Sequence, residues 1–256
     1  MNRVKLSVDN SNHTLLNIEF AIIVRMTNVY DEKALLVQAQ KDSSLSVTIV
    51  DHPLVRDLLR VMRDGKTSLV GFRRCVHALA YHLIFAATAD LHESTVRVST
   101  PLADLRGSKI KDRIVLIPVL RSGIGMHEPA QNIFPSAPTI FAGMARDEAT
   151  AIPHWYYDLK QLEHLNHGTG VVFLILDPML ATGGSAVETI RRIKDIYPQG
   201  QIKMISMIAA PEGIKVLNRE HPGVAITVAA VDDHLNEHKY IVPGLGDAGD
   251  RQFGTI

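Results

Sequence analysis

Lysine plus arginine and aspartate plus glutamate both number 27 in this 256-residue chain, so its formal net charge is zero, which argues against a broad nucleic-acid-binding surface. A hydrophobic share of 46% with 21% charged residues excludes a disordered chain and suits one large α/β domain or two small ones. Cys75 is the single cysteine, so an intrachain disulfide is excluded and a reducing cytoplasm is expected; no apolar run reaches bilayer-spanning length, so no membrane partner is expected either.

Residues Met1 to about Ser46 form an N-terminal extension of unassigned role. Its apolar runs, Ile18–Val24 and Ala34–Val37, predict an extra strand or helix that packs on the domain or on a partner subunit. Glu19 and Arg25 flank the first run and no A-x-A-like site follows, which makes it a poor signal peptide. Leu54–Met62 predicts a helix with Pro53 in its first turn. Leu69–Ala89 predicts a longer one, apolar at Val76, Leu79, Ala80 and Leu83, in which Cys75 is buried filler and His77 and His82 are structural. Thr95–Leu105, broken by Pro101, predicts a hairpin. Apolar runs at Ile114–Leu120, Thr139–Met144, Val171–Leu176, Ile202–Ala209 and Val224–Val231 then predict strands. Helices are expected near Met126–Ile133, Ser185–Tyr197 and Glu212–Arg219. The alternation predicts an α/β fold, a parallel twisted sheet with helices on both faces. Ligands bind such sheets beyond the carboxyl ends of the strands, which is where the chemistry-bearing residues fall.

The most informative of these is the turn after Val171–Leu176. Asp177 and Pro178 end the strand, Thr182-Gly183-Gly184-Ser185 follows, and a helix opens. Glycines let a backbone approach a ligand, and the free N–H groups of a helix start attract an anion. No Lys follows the last glycine, so this is not an ATP-type P-loop, and it is not G-x-G-x-x-G. An aspartate five positions before the T-G-G puts a carboxylate at one end and phosphate donors at the other, a span that suits a ribose 5-phosphate. Arg121 directly follows a predicted buried strand and precedes Ser122-Gly123, a cation beside a tight backbone. Arg146 follows the strand at Thr139–Met144. Gly244, Gly246 and Gly249 make Tyr240–Arg251 a loop rich in accessible main chain. Neither a Ser/His/Asp triad nor zinc-ligand spacing is present.

Together these stretches resemble the uracil phosphoribosyltransferase family. DPMLATGGS at Asp177–Ser185 is similar to its ribose-phosphate loop, PVLRSGIGM at Pro118–Met126 to its first active-site loop, and GMARDEAT at Gly143–Thr150 to its flexible loop. LNEHKYIVPGLGDAGDRQFGT at Leu235–Thr255 is similar to its uracil-binding segment, and AAPEG at Ala209–Gly213 and the segment opening at His52–Val55 agree. The likeness spans roughly Val47 to Ile256. It implies a phosphoribosyltransferase domain over 47–256 with a C-terminal uracil-binding hood and a β-arm for dimer contacts. It implies pyrimidine salvage: uracil and 5-phosphoribosyl 1-diphosphate give UMP and diphosphate, with Mg²⁺. Implied catalytic residues are Arg121, Arg146 and Asp247. Implied binders of the phosphoribosyl diphosphate are those three with Asp177, Pro178, Met179, Leu180, Ala181, Thr182, Gly183, Gly184 and Ser185. Uracil is implied to lie against Tyr240, Ile241, Gly246, Asp247 and Ala248, with Asp247 reaching the metal through water. A homodimer or tetramer is implied, with GTP or CTP as an effector.

The chain departs from the family at Ala145, where Tyr is expected, at Ala149, where Glu is expected, and at Lys239, where Gly is expected. The stretch from His154 to Gly170 is long. A nucleotide sensor that turns over poorly is the non-enzymatic alternative. An enzyme for another base is opposed by Gly244–Asp250, since main-chain groups that match uracil's carbonyl–imide–carbonyl edge would be left unpaired by cytosine.

Overall fold

A computed structural model describes residues 46–146, 153–165 and 170–255. The expectation for the N-terminal extension, up to residue 45, and most of the flexible-loop expectation, residues 147–150, lie outside the described residues.

The apolar runs form the middle of an eight-stranded sheet. β4 (Arg113–Leu120) and β7 (Val171–Leu176) are neighbours, and every residue of β7 is buried. Its side chains alternate between two cores: Val172, Leu174 and Leu176 enter one, Phe173 and Ile175 the other. Each such buried aliphatic or aromatic side chain contributes roughly 1.5–3 kcal/mol. β9 (Gln201–Ala209), β10 (Ala225–Val231) and β1 (Val47–Ile49) continue the sheet in parallel on one side of β7. β5 (Ala142–Arg146) runs parallel to β4 on the other side, and the two-residue β8 (Met179–Leu180) pairs with β9.

Two expectations need correction. The sheet is not wholly parallel: its edge strand β6 (Pro153–Tyr157) is antiparallel to β5. Six residues separate β5 from β6, too few for the crossover that a parallel pair requires and enough for a hairpin return. The strand expected from Thr139 starts at Ala142, because Thr139 makes only an isolated bridge to Leu116.

Helices cover both faces. α1 (Pro53–Arg63) is capped by His52, and α2 (Leu69–Ala87) by the Ser68 hydroxyl, which accepts the Gly71 N–H at 3.2 Å. With α3 (Ile124–Ile133) they bury Met62, Phe72, Leu79, Leu83 and Met126 against one face. α4 (Gly184–Ile196) and α5 (Pro211–Glu220) bury Ile190, Ile193, Ile214 and Leu217 against the other. Cys75 is buried in the first core, and burial pushes its thiol pKa up, as befits filler. The hairpin is longer than expected: β2 (Glu93–Ser99) pairs with β3 (Asp104–Ile110) as a separate two-stranded arm, with Leu102 96% exposed at its tip. The chain ends in a small antiparallel pair, β11 (His234–Leu235) with β12 (Ile241–Val242), and the helix α6 (Ala248–Phe253).

His221, just after α5, is buried and its Nε2 donates to the Val187 carbonyl at 2.9 Å. Burial pushes its pKa below the ordinary 6.5, so the folded chain takes up this proton less readily than the unfolded chain. The stability that neutral His221 contributes is therefore complete above the unfolded value and is lost as pH falls through the folded one. Melting curves between about pH 7.5 and 5 should fall more gently for His221→Gln than for the parent. His127, also pushed down by burial, will leave part of the slope. Parallel curves would place the loss elsewhere.

Candidate active site

β4 and β7 deliver their carboxyl ends side by side into a cleft of about 400 Å³. Arg121 and Ser122 come from the end of β4. Asp177 and Met179–Ala186 come from the end of β7, and His238–Tyr240 and Asp247–Gly249 come from the C-terminal segment. Loops more than fifty residues apart in sequence thus share one cavity, as the placement at strand ends predicts.

The glycine-rich turn has a clear local cause. Gly183 sits at φ +82° as the N-cap of α4 and makes no side-chain capping bond. The first-turn N–H groups of α4 therefore have no capping partner, and no acidic residue lies among them, an arrangement made for an anion. The turn also packs on the start of α5: a Cβ on Gly183 would stand 2.9 Å from the Gly213 carbonyl oxygen, and one on Gly213 2.4 Å from that of Ala181. That contact explains why a glycine ends the AAPEG stretch. Gly223, at φ +83°, has nothing within 4 Å of such a Cβ. Gly183→Ala should therefore destabilise by about 1 kcal/mol more than Gly223→Ala and weaken phosphate binding at least tenfold. Denaturant unfolding and phosphate-ligand titration of both variants test this, and equal behaviour would remove the packing argument.

Ser122 Oγ donates to Asp177 Oδ1 at 3.3 Å, which ties the two strand ends together across the cleft. Pro178 differs from its neighbours: it is buried, its carbonyl accepts the N–H groups of Met207 and Ile208, and it does not line the cleft. Arg121 is half exposed, and its Nη2 donates to Asp250 Oδ1 at 2.9 Å. The Thr255 hydroxyl first, and Arg121 second, hold the Asp250 carboxyl below the usual range. An exposed pair of this kind is screened by solvent, so it aims Arg121 without locking it. Asp250, which pairs with Arg121 but does not itself line the cleft, was passed over by sequence reasoning. Its signal was the second aspartate of the GDAGD stretch, three residues after Asp247.

Asp247 caps α6, its Oδ1 accepting the Asp250 N–H at 2.8 Å. Tyr240 and Ala248 line the cleft with it, whereas the Ile241 side chain is in the core and Gly246 is an exposed bend at φ +78°. Arg146 ends β5, and its side chain lies outside the described residues. Lys239 holds φ +65°, and it is the one non-glycine residue in the left-handed region among those described.

The C-terminal segment is held by contacts that sequence reasoning missed. Arg63, at the end of α1, grips Asp232 with two N–H groups, and its Nη1 also donates to the Gly244 carbonyl at 2.8 Å. Asp232 Oδ2 in turn accepts the Gly244 N–H at 2.8 Å. Arg251 donates to the carbonyls of Met62, Leu245 and Asp64, and Arg73 Nε to that of Gln252 at 2.6 Å.

A mostly parallel α/β sheet with an aspartate-led Thr-Gly-Gly-Ser turn at its carboxyl ends is the arrangement that the resemblance to phosphoribosyltransferases leads one to expect. The profile described as uracil phosphoribosyltransferase matches residues 49–255, and the chain belongs to that family. It is 46% identical to the uracil phosphoribosyltransferase of Roseiflexus sp. (strain RS-1) over 210 residues, which cover 82% of this chain and 98% of that protein. It is 44% identical to that of Malacoplasma penetrans, over 81% of this chain and 98% of the relative. A solved protein of Aquifex aeolicus superposes with a TM-score of 0.74 at 35% identity, covering 81% of this chain and 97% of its own.

Proposed function

We infer that this chain carries out its family's reaction in the cleft between β4, β7 and the C-terminal segment. It transfers the 5-phosphoribosyl group of 5-phosphoribosyl 1-diphosphate to uracil, giving UMP and diphosphate in pyrimidine salvage. The single observation that carries this is the convergence of Arg121, of Asp177 with Met179–Ser185, and of Tyr240, Asp247 and Ala248 on one cavity.

The bond from ribose C1 to the diphosphate oxygen breaks, a bond from C1 to uracil N1 forms, and the N1 proton leaves to solvent. The α4 N-terminus and the Thr182 and Ser185 hydroxyls anchor the 5-phosphate, with Met179, Leu180 and Ala181 forming the floor of the turn. Asp177 holds the ribose hydroxyls. Arg121 stabilises the departing diphosphate, a role that rises with the charge developing there. Arg146, at the end of β5, closes over the same group and keeps water from the ribosyl cation. Uracil lies against Tyr240, Ile241, Gly246 and Ala248, whose main-chain groups match its carbonyl–imide–carbonyl edge.

The residues suit Mg²⁺ in a particular way. Among those described, no group of three or more possible ligands clusters, while two carboxylates, Asp177 and Asp247, line the cleft. That donor set fits a hydrated ion reached through substrate oxygens and water rather than a protein cage. When bound, Mg²⁺ would supply positive charge at the diphosphate, and Asp247 would hold it through water. The apolar arm β2–β3, with Val98, Leu102, Leu105 and Ile110 exposed, supports contact with a second copy of this chain. No described helix is long and apolar enough to cross a membrane. The single cysteine suits a reducing cytoplasm, where we place the enzyme.

UMP formation from uracil and 5-phosphoribosyl 1-diphosphate with Mg²⁺ tests the reading, with cytosine, orotate and hypoxanthine as competing bases. Turnover confined to uracil is expected. Tight UMP binding without turnover would turn the reading into a nucleotide sensor, and turnover of another base would overturn the uracil assignment.

A further inference from the structure

The charged side chains lining the cleft among the described residues are Arg121, Lys239, Asp177 and Asp247. Without Lys239, two carboxylates would face one arginine, and that arginine already shares Asp250. A substrate carrying a phosphate and a diphosphate would then meet a net negative wall.

Lys239 is also held where a lysine is poorly suited to be. Asn236 builds the turn between β11 and β12: its Oδ1 accepts the N–H groups of His238 at 3.0 Å and Tyr240 at 2.9 Å, and its carbonyl accepts that of Lys239 at 2.9 Å. The turn drives Lys239 to φ +65°, a conformation that favours glycine, which is also what the family resemblance leads one to expect there. A side chain kept in an unfavourable backbone conformation at the wall of a cleft points to a use for that side chain. No carboxylate among the described residues pairs with its ammonium, whereas the neighbouring His238 stands 3.4 Å from Glu237.

We propose that Lys239 is a phosphate-binding cation, reaching from the C-terminal segment to the phosphate groups of 5-phosphoribosyl 1-diphosphate. The proposal rests on the reaction inferred above. An ammonium on a flexible stem suits such a group, because it follows a charge that moves as the diphosphate departs.

Steady-state kinetics of three variants test it. Lys239→Met removes the charge and keeps the length. Its KM for 5-phosphoribosyl 1-diphosphate should rise about tenfold, with the KM for uracil nearly unchanged. Lys239→Arg should stay within about threefold of the parent. Lys239→Gly should melt higher than the parent, because the turn is relieved, and still share the raised KM. A Met variant with the parent KM overturns the proposal. A Gly variant that regains the parent KM also overturns it, since the Met effect would then come from the turn. If the parent makes no UMP, the reaction assignment fails separately. Calorimetric titration of the parent and Lys239→Met with Mg²⁺-diphosphate then decides the matter: weaker binding by the variant sustains the cation, and equal affinities reject it.

Discussion

Asp247→Asn is expected to fold like the parent and to form UMP at least about a hundredfold more slowly. The two functions of this carboxylate are separable. As N-cap of α6 it accepts the Asp250 N–H, and asparagine does this nearly as well. As a carboxylate lining the cleft it is proposed to face the substrate and its metal, and asparagine cannot replace that charge. Asp247→Ala removes both, so it should lose activity like the asparagine variant. It should also lose about 1 kcal/mol of stability, a shift of about 2–4 °C in Tm. Rate and melting temperature measured on both variants separate the effects. An asparagine variant at the parent rate would reduce Asp247 to a capping residue and move the metal-facing role to Asp177.

Asp232→Ala is expected to cost about 3 kcal/mol and to raise the KM for uracil severalfold. Asp232 is 97% buried at its side chain, and its carboxylate answers both the Arg63 guanidinium and the Gly244 N–H. Removing one partner of such a pair leaves an uncompensated cation, which is the damaging case. Arg63 keeps 24% of its side chain exposed, so water relieves part of the penalty and the low end of the usual range applies. The kinetic effect would follow from Gly244, which leads into Gly246–Ala248, the residues proposed above to meet the base. Denaturant unfolding of Asp232→Ala, Arg63→Met and the double variant forms a cycle. The double variant should be less damaged than the sum of the singles, because no buried charge is left alone. Strict additivity would mean that the pair does not act as a unit.

The parts of this protein that sequence revealed are those whose cause is local. β7 reads as a strand because all six of its residues are buried and apolar. α1 starts where Pro53 follows His52, and α4 starts where two glycines follow Thr182. Asp177, Thr182 and Ser185 stood out because a carboxylate, a glycine turn and a helix start within nine residues already specify an anion-binding geometry. β1 was missed because a three-residue strand carries no periodicity; it exists because β10 offers it an edge. The antiparallel β6 was missed because strand direction depends on the connection rather than on the strand itself.

The sequence by itself determined the class of fold, the family and the chemistry of the phosphate turn, since buried runs and turn residues act on their own neighbours. Only the tertiary structure decided which charges line the cleft. Arg121 and Asp250 meet across 129 residues, and Arg63 and Asp232 across 169. Arg121, Asp177, Lys239 and Asp247 line one cleft only after three segments have converged. Electrostatic contacts depend on distance in space, and distance in space between remote residues is set by the packing of the whole sheet.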